Sequence, residues 1–170
     1  MEVEELENRV RVTFTYGLRV VPAASTKVAY EVRADGKILV QAHYYGREGL
    51  PGLPLFGMRF RFYSDADTFS YYGYGPEENY IDRANGARLG IFHGTPMGNL
   101  SRYLVPQECG NRTGVRWLKV CDKNGFGIRF TAAKKPFDMN VLPYTAEELE
   151  HALHREELPV LPRYTNVSIL

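Results

Sequence analysis

The sequence of 170 residues carries 21 Lys and Arg against 20 Asp and Glu, a formal net charge of +1 at pH 7. This balance disfavours nucleic acid as a partner, because phosphate backbones are bound by basic patches. No apolar run approaches the roughly 18 residues of a membrane-spanning helix, and residues 1–5 are acidic where a signal peptide would be basic. We therefore expect a soluble, cytoplasmic chain with no membrane partner, folded as a single domain over residues 1–170.

The composition and the residue pattern favour strands. Hydrophobic residues make up 44% of the chain and aromatic residues 13%, and such side chains suit pleated, half-buried surfaces. Polar and apolar residues alternate with a period of two in several short segments, which is typical of strands with one buried face. The seven or eight predicted strands cover 10–16, 28–32, 38–44, 58–62, 69–74, 87–92, 115–121 and 127–132. The Gly- and Pro-rich segment 46–57 is predicted to be irregular.

Residues 34–36, Ala-Asp-Gly, predict a hairpin of defined register. A two-residue Asp-Gly loop would pair Val32 with Leu39 and would put the apolar residues of the two strands on opposite faces. A three-residue loop with Gly36 in the left-handed conformation pairs Val32 with Ile38 and puts both apolar sets on one face. A sheet with one buried face requires the second register, which we therefore predict.

One helix is predicted, from about residue 146 to residue 154. Thr145 and Glu148 have the spacing of a capping box, in which each side chain accepts a hydrogen bond from the other residue's backbone amide. The apolar side chains expected to face the sheet are those of Leu149, Ala152 and Leu153. Many short antiparallel strands with one late helix indicate an all-β fold, a large antiparallel β-sandwich.

The densest acidic cluster lies in a loop and consists of Glu77, Glu78 and Asp82. A glycosidase needs two carboxyl groups about 5 to 9.5 Å apart across the scissile bond. Adjacent glutamates outside a helix tend to point apart, and Arg83 and Arg88 are close enough to neutralise them. We therefore expect a rigid structural loop rather than a catalytic site. Its residues are Gly75, Pro76, Glu78, Asn79, Tyr80, Asp82 and Arg83.

Two other groups of residues suggest binding. Tyr72 and Tyr74 could stack on a sugar ring, although core packing and cross-strand pairing explain the same residues at least as well. His151 and His154 have a helical spacing that suits metal, but no third ligand is evident. The sequence therefore predicts no metal site and no catalytic residue in this chain.

Four stretches of the sequence resemble motifs of the LacZ-type β-galactosidases, in order. Residues 72–83, Tyr-Gly-Tyr-Gly-Pro-Glu-Glu-Asn-Tyr-Ile-Asp-Arg, resemble that family's W-x-G-x-G-P-x-E-N-Y-P-D-R. Residues 53–60 resemble its L-P-R-x-G strand entry, and 104–117 resemble its Y-x-x-P-Q-E-x-G-N-R-x-x-V-R-W segment. Residues 144–158 resemble its Y-T-x-x-x-L-x-x-A-x-H-x-x-E-L. The departures are local: a usual Trp is missing, Ile81 replaces Pro, and Cys109 replaces Asn.

The resemblance implies a non-catalytic fragment of a larger enzyme. The family consists of family 2 glycoside hydrolases that cleave terminal β-D-galactosides such as lactose, and the matching region belongs to their C-terminal, galactose-mutarotase-like β-sandwich, a separate small subunit in some relatives. Their catalytic glutamates and magnesium lie in another domain, so no cofactor is expected here. The implied role is to wall the active site and to support assembly with the remaining domains. The alternatives are an independent carbohydrate-binding module that uses the region from Tyr71 to Tyr80, and a purely structural interaction domain.

Overall fold

The computed structural model describes residues 1–20 and 22–170, which fall into two compact units, Met1–Pro54 and Leu55–Leu170. Twelve strands, one α-helix and one 3-10 helix lie within these described residues. No helix among them has the length and apolar character needed to cross a membrane. The organisation of residues 1–170 as one domain stays a prediction.

The first unit is a four-stranded antiparallel sheet in which neighbours in sequence are neighbours in space. Its strands, in sheet order, are β1 (Glu2–Leu6), β2 (Arg9–Leu18), β3 (Ala24–Arg33) and β4 (Ile38–Tyr45). The sequence pattern does not predict β1, because its five residues are all exposed and only two of them are apolar.

The hairpin between β3 and β4 has the predicted register. Val32 lies opposite Ile38, and Gly36 adopts a φ of 80°, in the left-handed region. The loop is closed by a hydrogen bond of 2.9 Å from the Arg33 amide to the Lys37 carbonyl oxygen. The positive φ of Gly36 thus sets the register that puts the apolar residues of both strands on one face. The predicted pairing of Val32 with Ile38 is confirmed.

Glu31 is the buried charge of the first unit, with 5% of its surface exposed. Arg11 donates to one carboxylate oxygen at 3.0 Å, and Arg33 donates twice to the other at 3.0 and 3.1 Å. Arg9 lies 3.5 Å from the same carboxylate. The hydrogen bond from Arg11 outweighs the opposing effect of desolvation and, with the bonds from Arg33, holds the pKa of Glu31 below its ordinary value.

The second unit is a sandwich of two antiparallel sheets. One sheet has the strand order β10-β9-β6-β7 and the other has the order β5-β12-β11-β8. The strands are β5 (Met58–Tyr63), β6 (Thr68–Gly75), β7 (Arg88–Gly94), β8 (Arg112–Val115), β9 (Trp117–Cys121), β10 (Gly127–Thr131), β11 (Phe137–Leu142) and β12 (Tyr164–Ile169). Both sheets contribute to one buried core, formed by Phe69, Tyr71, Val115, Leu118, Val120, Met139, Val141 and Val167. The predicted all-β sandwich class is confirmed.

The prediction of one continuous strand over 115–121 is wrong. The segment contains parts of two strands, because the chain passes from one sheet to the other within it. β8 ends at Val115 and pairs with β11, whereas β9 begins at Trp117 and pairs with β6. Gly114, with a φ of 59°, turns the chain at the crossing. Between the two strands, the Arg116 amide donates to the Tyr72 carbonyl oxygen at 2.7 Å.

Two strands that the sequence pattern does not predict, β11 and β12, are the central strands of their sheet. Their interior residues are buried in succession rather than alternately. Several of these residues are polar, namely Asn140, Thr165, Asn166 and Ser168. A strand enclosed on both faces has no period-two pattern, and buried asparagines resemble turn residues in sequence.

The helix α1 covers Ala146–His151 and is shorter than predicted. The capping box is present: the Glu148 amide donates to Thr145 Oγ1 at 3.1 Å, and the Thr145 amide donates to the Glu148 carboxylate at 2.7 Å. The backbone becomes extended at Ala152, and a 3-10 helix follows at Arg155–Glu157. Leu149 and Ala152 are buried as predicted, but Leu153 is 68% exposed because the helix has already ended.

We expect the Glu31→Gln variant to have a lower melting temperature at neutral pH than the unaltered chain. Because the folded pKa of Glu31 is depressed, its contribution to stability is present above the pKa of an unfolded glutamate and is lost as the pH falls through the folded value. The variant should therefore lose less stability on acidification. Thermal unfolding followed by circular dichroism between about pH 7 and pH 3 measures both effects.

Glu5→Gln is the matched control, because Glu5 is exposed in the same sheet. Equal acid sensitivity of the Glu31→Gln variant and the unaltered chain would contradict the role given to this cluster.

Candidate functional site

The loop that follows β6 is organised by the Glu78 carboxylate. Its Oε2 accepts hydrogen bonds from the Ser101 hydroxyl and the Gly110 backbone amide, each at 2.7 Å. Its Oε1 accepts a very short hydrogen bond from the Tyr103 hydroxyl and one of 3.2 Å from the Arg83 guanidinium. One side chain thus holds together segments of the chain that are far apart in sequence.

Glu78 is held in its ionised form. Burial by itself would raise its pKa, but the hydrogen bonds from Tyr103, Ser101 and Gly110, together with the charge of Arg83, lower the pKa below its ordinary value. A catalytic acid of a glycosidase needs the opposite, a raised pKa and a free oxygen. The neighbouring Glu77 is exposed. This geometry favours the predicted structural role of the loop over catalysis.

Asn79 is the most completely bonded residue of the loop and is only 2% exposed. Its amide nitrogen donates to the carbonyl oxygens of Tyr74 and Glu77, both at 3.0 Å. Its amide oxygen accepts from the backbone amide of Thr113 at 3.0 Å and from the Thr113 hydroxyl at 2.6 Å. Its donors therefore hold the loop to the end of β6 and to itself, and its acceptor joins the loop to β8.

Arg112 is a buried residue of this network that the sequence reasoning did not select. Its Nε donates to the Tyr71 hydroxyl at 2.9 Å and to the Pro76 carbonyl oxygen at 3.0 Å. Its Nη1 donates to the carbonyl oxygens of Gly110 and Asn111, both at 3.1 Å. Arg112 belongs to the Asn-Arg pair of segment 104–117, which resembles a family motif and could have drawn attention to it. Nothing in the sequence indicates which carbonyl groups its guanidinium bonds.

The outer part of the loop contains Tyr80, Asp82 and Arg83. The Arg83 guanidinium lies 4.4 Å from the centroid of the Tyr80 ring, and burial, followed by the charge of Glu78, raises the pKa of Tyr80 to about 12. The residue types predict that Asp82 bonds nearby amides or Arg83, but it is exposed and forms no hydrogen bond or ion pair with any described residue. Arg83 instead forms its ion pair with Glu78 and donates a second hydrogen bond to the Tyr103 hydroxyl at 2.8 Å.

Tyr72 and Tyr74, the predicted sugar-stacking residues, point away from the core on β6. The Arg116 guanidinium lies 5.5 Å from the Tyr72 ring centroid and 5.8 Å from that of Tyr74. One cation thus sits beside both rings, where a sugar would have to stack. Sugar binding at these residues stays a prediction.

Potential metal ligands do not gather in the described residues. Across 1–20 and 22–170, no three side chains of His, Cys, Asp or Glu lie together in a way that could hold a metal ion.

Comparison with known proteins gives a match over the full chain. Residues 1–170 match the family model described as the β-galactosidase small chain. A β-galactosidase of Halalkalibacterium halodurans is 45% identical over 172 residues, which cover 99% of this chain and 17% of that protein. A β-galactosidase of Streptococcus thermophilus is 39% identical over 157 residues, covering 92% of this chain and 15% of the relative. A β-galactosidase small subunit of Latilactobacillus sakei is 37% identical over 176 residues, covering 98% of this chain and 54% of the subunit.

Two conclusions follow about the class of this protein. The shared core of two antiparallel sheets defines an all-β sandwich. Within that class, the chain belongs to the β-galactosidase small chain family. It spans about one sixth of the length of the full β-galactosidases named above and about half of the small subunit.

We expect Glu78→Ala to destabilise the chain by about 3 kcal/mol, because its removal leaves the buried Gly110 amide and the half-buried hydroxyls of Ser101 and Tyr103 without their acceptor. Arg83→Ala should have a clearly smaller effect, because 53% of the Arg83 side chain is exposed and exposed ion pairs add little stability. The two effects differ because only 18% of the Glu78 side chain is exposed. Urea unfolding measures the two losses.

Glu77→Ala, a change of the adjacent exposed glutamate, is the matched control. Galactose and lactose should leave the melting temperature unchanged if the loop is structural. A melting temperature that rises with galactoside in the unaltered chain but not in Glu78→Ala would show that the loop binds sugar.

Proposed function

We propose that this chain is a non-catalytic part of the C-terminal β-sandwich domain of a family 2 β-galactosidase, an enzyme that hydrolyses terminal β-D-galactosides such as lactose. In this proposal it walls one side of the active site and supports assembly with the remaining domains of the enzyme. Cytoplasmic carbohydrate metabolism is the proposed setting.

The observation that carries the proposal is that the whole chain matches the family model although it covers only a small share of the full β-galactosidases. The chain matches from residue 1 to residue 170, yet it represents only 17% of the Halalkalibacterium halodurans β-galactosidase. Most of the polypeptide that supports activity in that relative therefore lies outside the matched region. We assign the catalytic carboxylates and the magnesium of the enzyme to that larger part.

The site geometry supports the same assignment. The carboxylate of Glu78 is occupied by four donors, and its pKa is lowered rather than raised. A pair of carboxyl groups working as acid and nucleophile requires one of them to be protonated before the reaction. The contribution of this loop is to hold its own part of the sandwich in shape.

The proposal is tested with a chimera. The 172 matched residues of the Halalkalibacterium halodurans β-galactosidase are replaced by this chain, and hydrolysis of a chromogenic β-galactoside is compared with that of the isolated chain. The chimera should be active, and the isolated chain should show no turnover above background. In this proposal the catalytic carboxyl groups belong to the rest of the relative, and this chain completes the fold around them.

A folded but inactive chimera would contradict the proposal. Turnover by the isolated chain that disappears in Glu77→Gln or Glu78→Gln would contradict the assignment of catalysis to the rest of the enzyme.

A further inference from the structure

The outward side of sheet β10-β9-β6-β7 is an aromatic surface. Side chains alternate between the two faces of each strand, and those of Phe69 and Tyr71 on β6 enter the core. The strand register places the outward residues Trp117, Tyr72 and Ile91 side by side on three neighbouring strands. Ile91 is 60% exposed, although it is a large apolar residue in the middle of a strand.

A second cross-strand pair extends this apolar row. Tyr74 lies opposite Leu89, and both side chains are more than one third exposed. We call the outward residues of these two rows the outer face; they are Trp117, Tyr72, Ile91, Tyr74 and Leu89. In this patch Tyr74, Ile91 and Leu89 are exposed and Trp117 and Tyr72 are half-buried, and a contiguous apolar patch on a folded chain is typical of a surface that binds another molecule.

The charges on this side of the sheet are all positive. Arg129 lies 4.8 Å from the centroid of the Trp117 ring, and Arg116 lies beside Tyr72 and Tyr74. Lys119 is exposed one outward position beyond Trp117. None of the four strands contains Asp or Glu, and within the described residues Arg116, Lys119 and Arg129 form no salt bridge.

The composition of the outer face indicates a protein partner. Trp, Tyr and Arg are the residues enriched where binding energy concentrates in protein interfaces. Because Arg116, Lys119 and Arg129 form no salt bridge within the described residues, we expect carboxylates opposite them on the partner. Such charge complementarity orients and selects partners. A sugar is a poorer fit, because Arg116 already occupies the position beside both tyrosine rings and the row offers no carboxylate to bind hydroxyl groups.

We infer that the outer face docks on an apolar surface rimmed by Asp and Glu on the remaining polypeptide of the β-galactosidase. This inference rests on the proposed function and names the surface through which the chain joins the larger enzyme. The size of the missing partner supports the choice, because this chain amounts to 17% of the Halalkalibacterium halodurans relative. Trp117 and Tyr72 form the centre of the contact, and Arg129 and Lys119 lie next to them within the covered area.

The test uses acetylation of lysines followed by peptide mass spectrometry, applied to the isolated chain and to the chimera described above. Lys119 should react about tenfold or more slowly in the chimera, because an interface must open before a buried amine reacts. Lys134 is the control; it is exposed, and it lies in the segment after β10. Its reaction rate should be the same in both proteins.

Arg129→Glu in the chimera tests the charge of the partner. This exposed substitution would place like charges against each other and should restore rapid acetylation of Lys119, whereas Lys135→Glu should leave Lys119 protected. Circular dichroism of the isolated variants verifies that both fold. If Lys119 stays protected from acetylation in the Arg129→Glu chimera, the inference that the partner surface is acidic is wrong.

Other outcomes would assign the outer face differently. An active chimera in which Lys119 reacts as fast as in the isolated chain would overturn the inference and leave the proposed function intact, whereas an inactive, folded chimera would overturn both. Protection of Lys119 in the isolated chain together with a dimeric mass in sedimentation would assign the face to a second copy. Protection by added lactose would assign it to a sugar.

Discussion

The hydrogen-bonded carboxylate of Glu78 is the interaction on which the loop region of the second unit depends. Burying a charged group without partners costs several kcal/mol, so the carboxylate and its donors are stable only together. Those donors come from Arg83 in the same loop, from Ser101 and Tyr103, and from Gly110. The position of each segment is therefore conditional on the others, although none of them belongs to a regular strand or helix.

The same network explains how an irregular loop can be rigid. Asn79 and Arg112 satisfy backbone carbonyl groups that a strand would satisfy through its ladder. Thr113 then connects the loop to β8, so that the sheet and the loop share hydrogen bonds. Each of these side chains is therefore engaged within the chain itself.

Local rules predict well the features that depend on neighbouring residues. The register of the β3–β4 hairpin follows from Gly36 and from the apolar alternation of two strands, and the start of α1 follows from Thr145 and Glu148. The residue types of loop 75–83 likewise indicate a polar network, because proline, asparagine and an acid–arginine pair stand within nine positions. The hairpin turn and the helix start involve contacts within a few positions along the chain, whereas the loop network also uses Ser101, Tyr103 and Gly110.

Features that depend on distant partners are not predictable in this way. Segment 115–121 reads as one strand because Val115 and Trp117 both suit a strand, and only the position of the two sheets separates them. β11 and β12 lack alternation because they are enclosed on both sides. In the loop, Asp82 and Glu78 have the same chemistry, yet only Glu78 faces Ser101, Tyr103 and Gly110.

The crossing between the two sheets fixes the length of the chain at that point. Thr113 is held by Asn79 on one side, and Trp117 is held opposite Tyr72 on the other, with three residues between them. One added or deleted residue would reverse which side chains of β9 face the core. Lys119 would then point inward, and Leu118 and Val120 would point outward. Homologous chains should therefore vary in length at turns such as 122–125, and should keep the spacing from Thr113 to Trp117 constant even where the residues themselves differ.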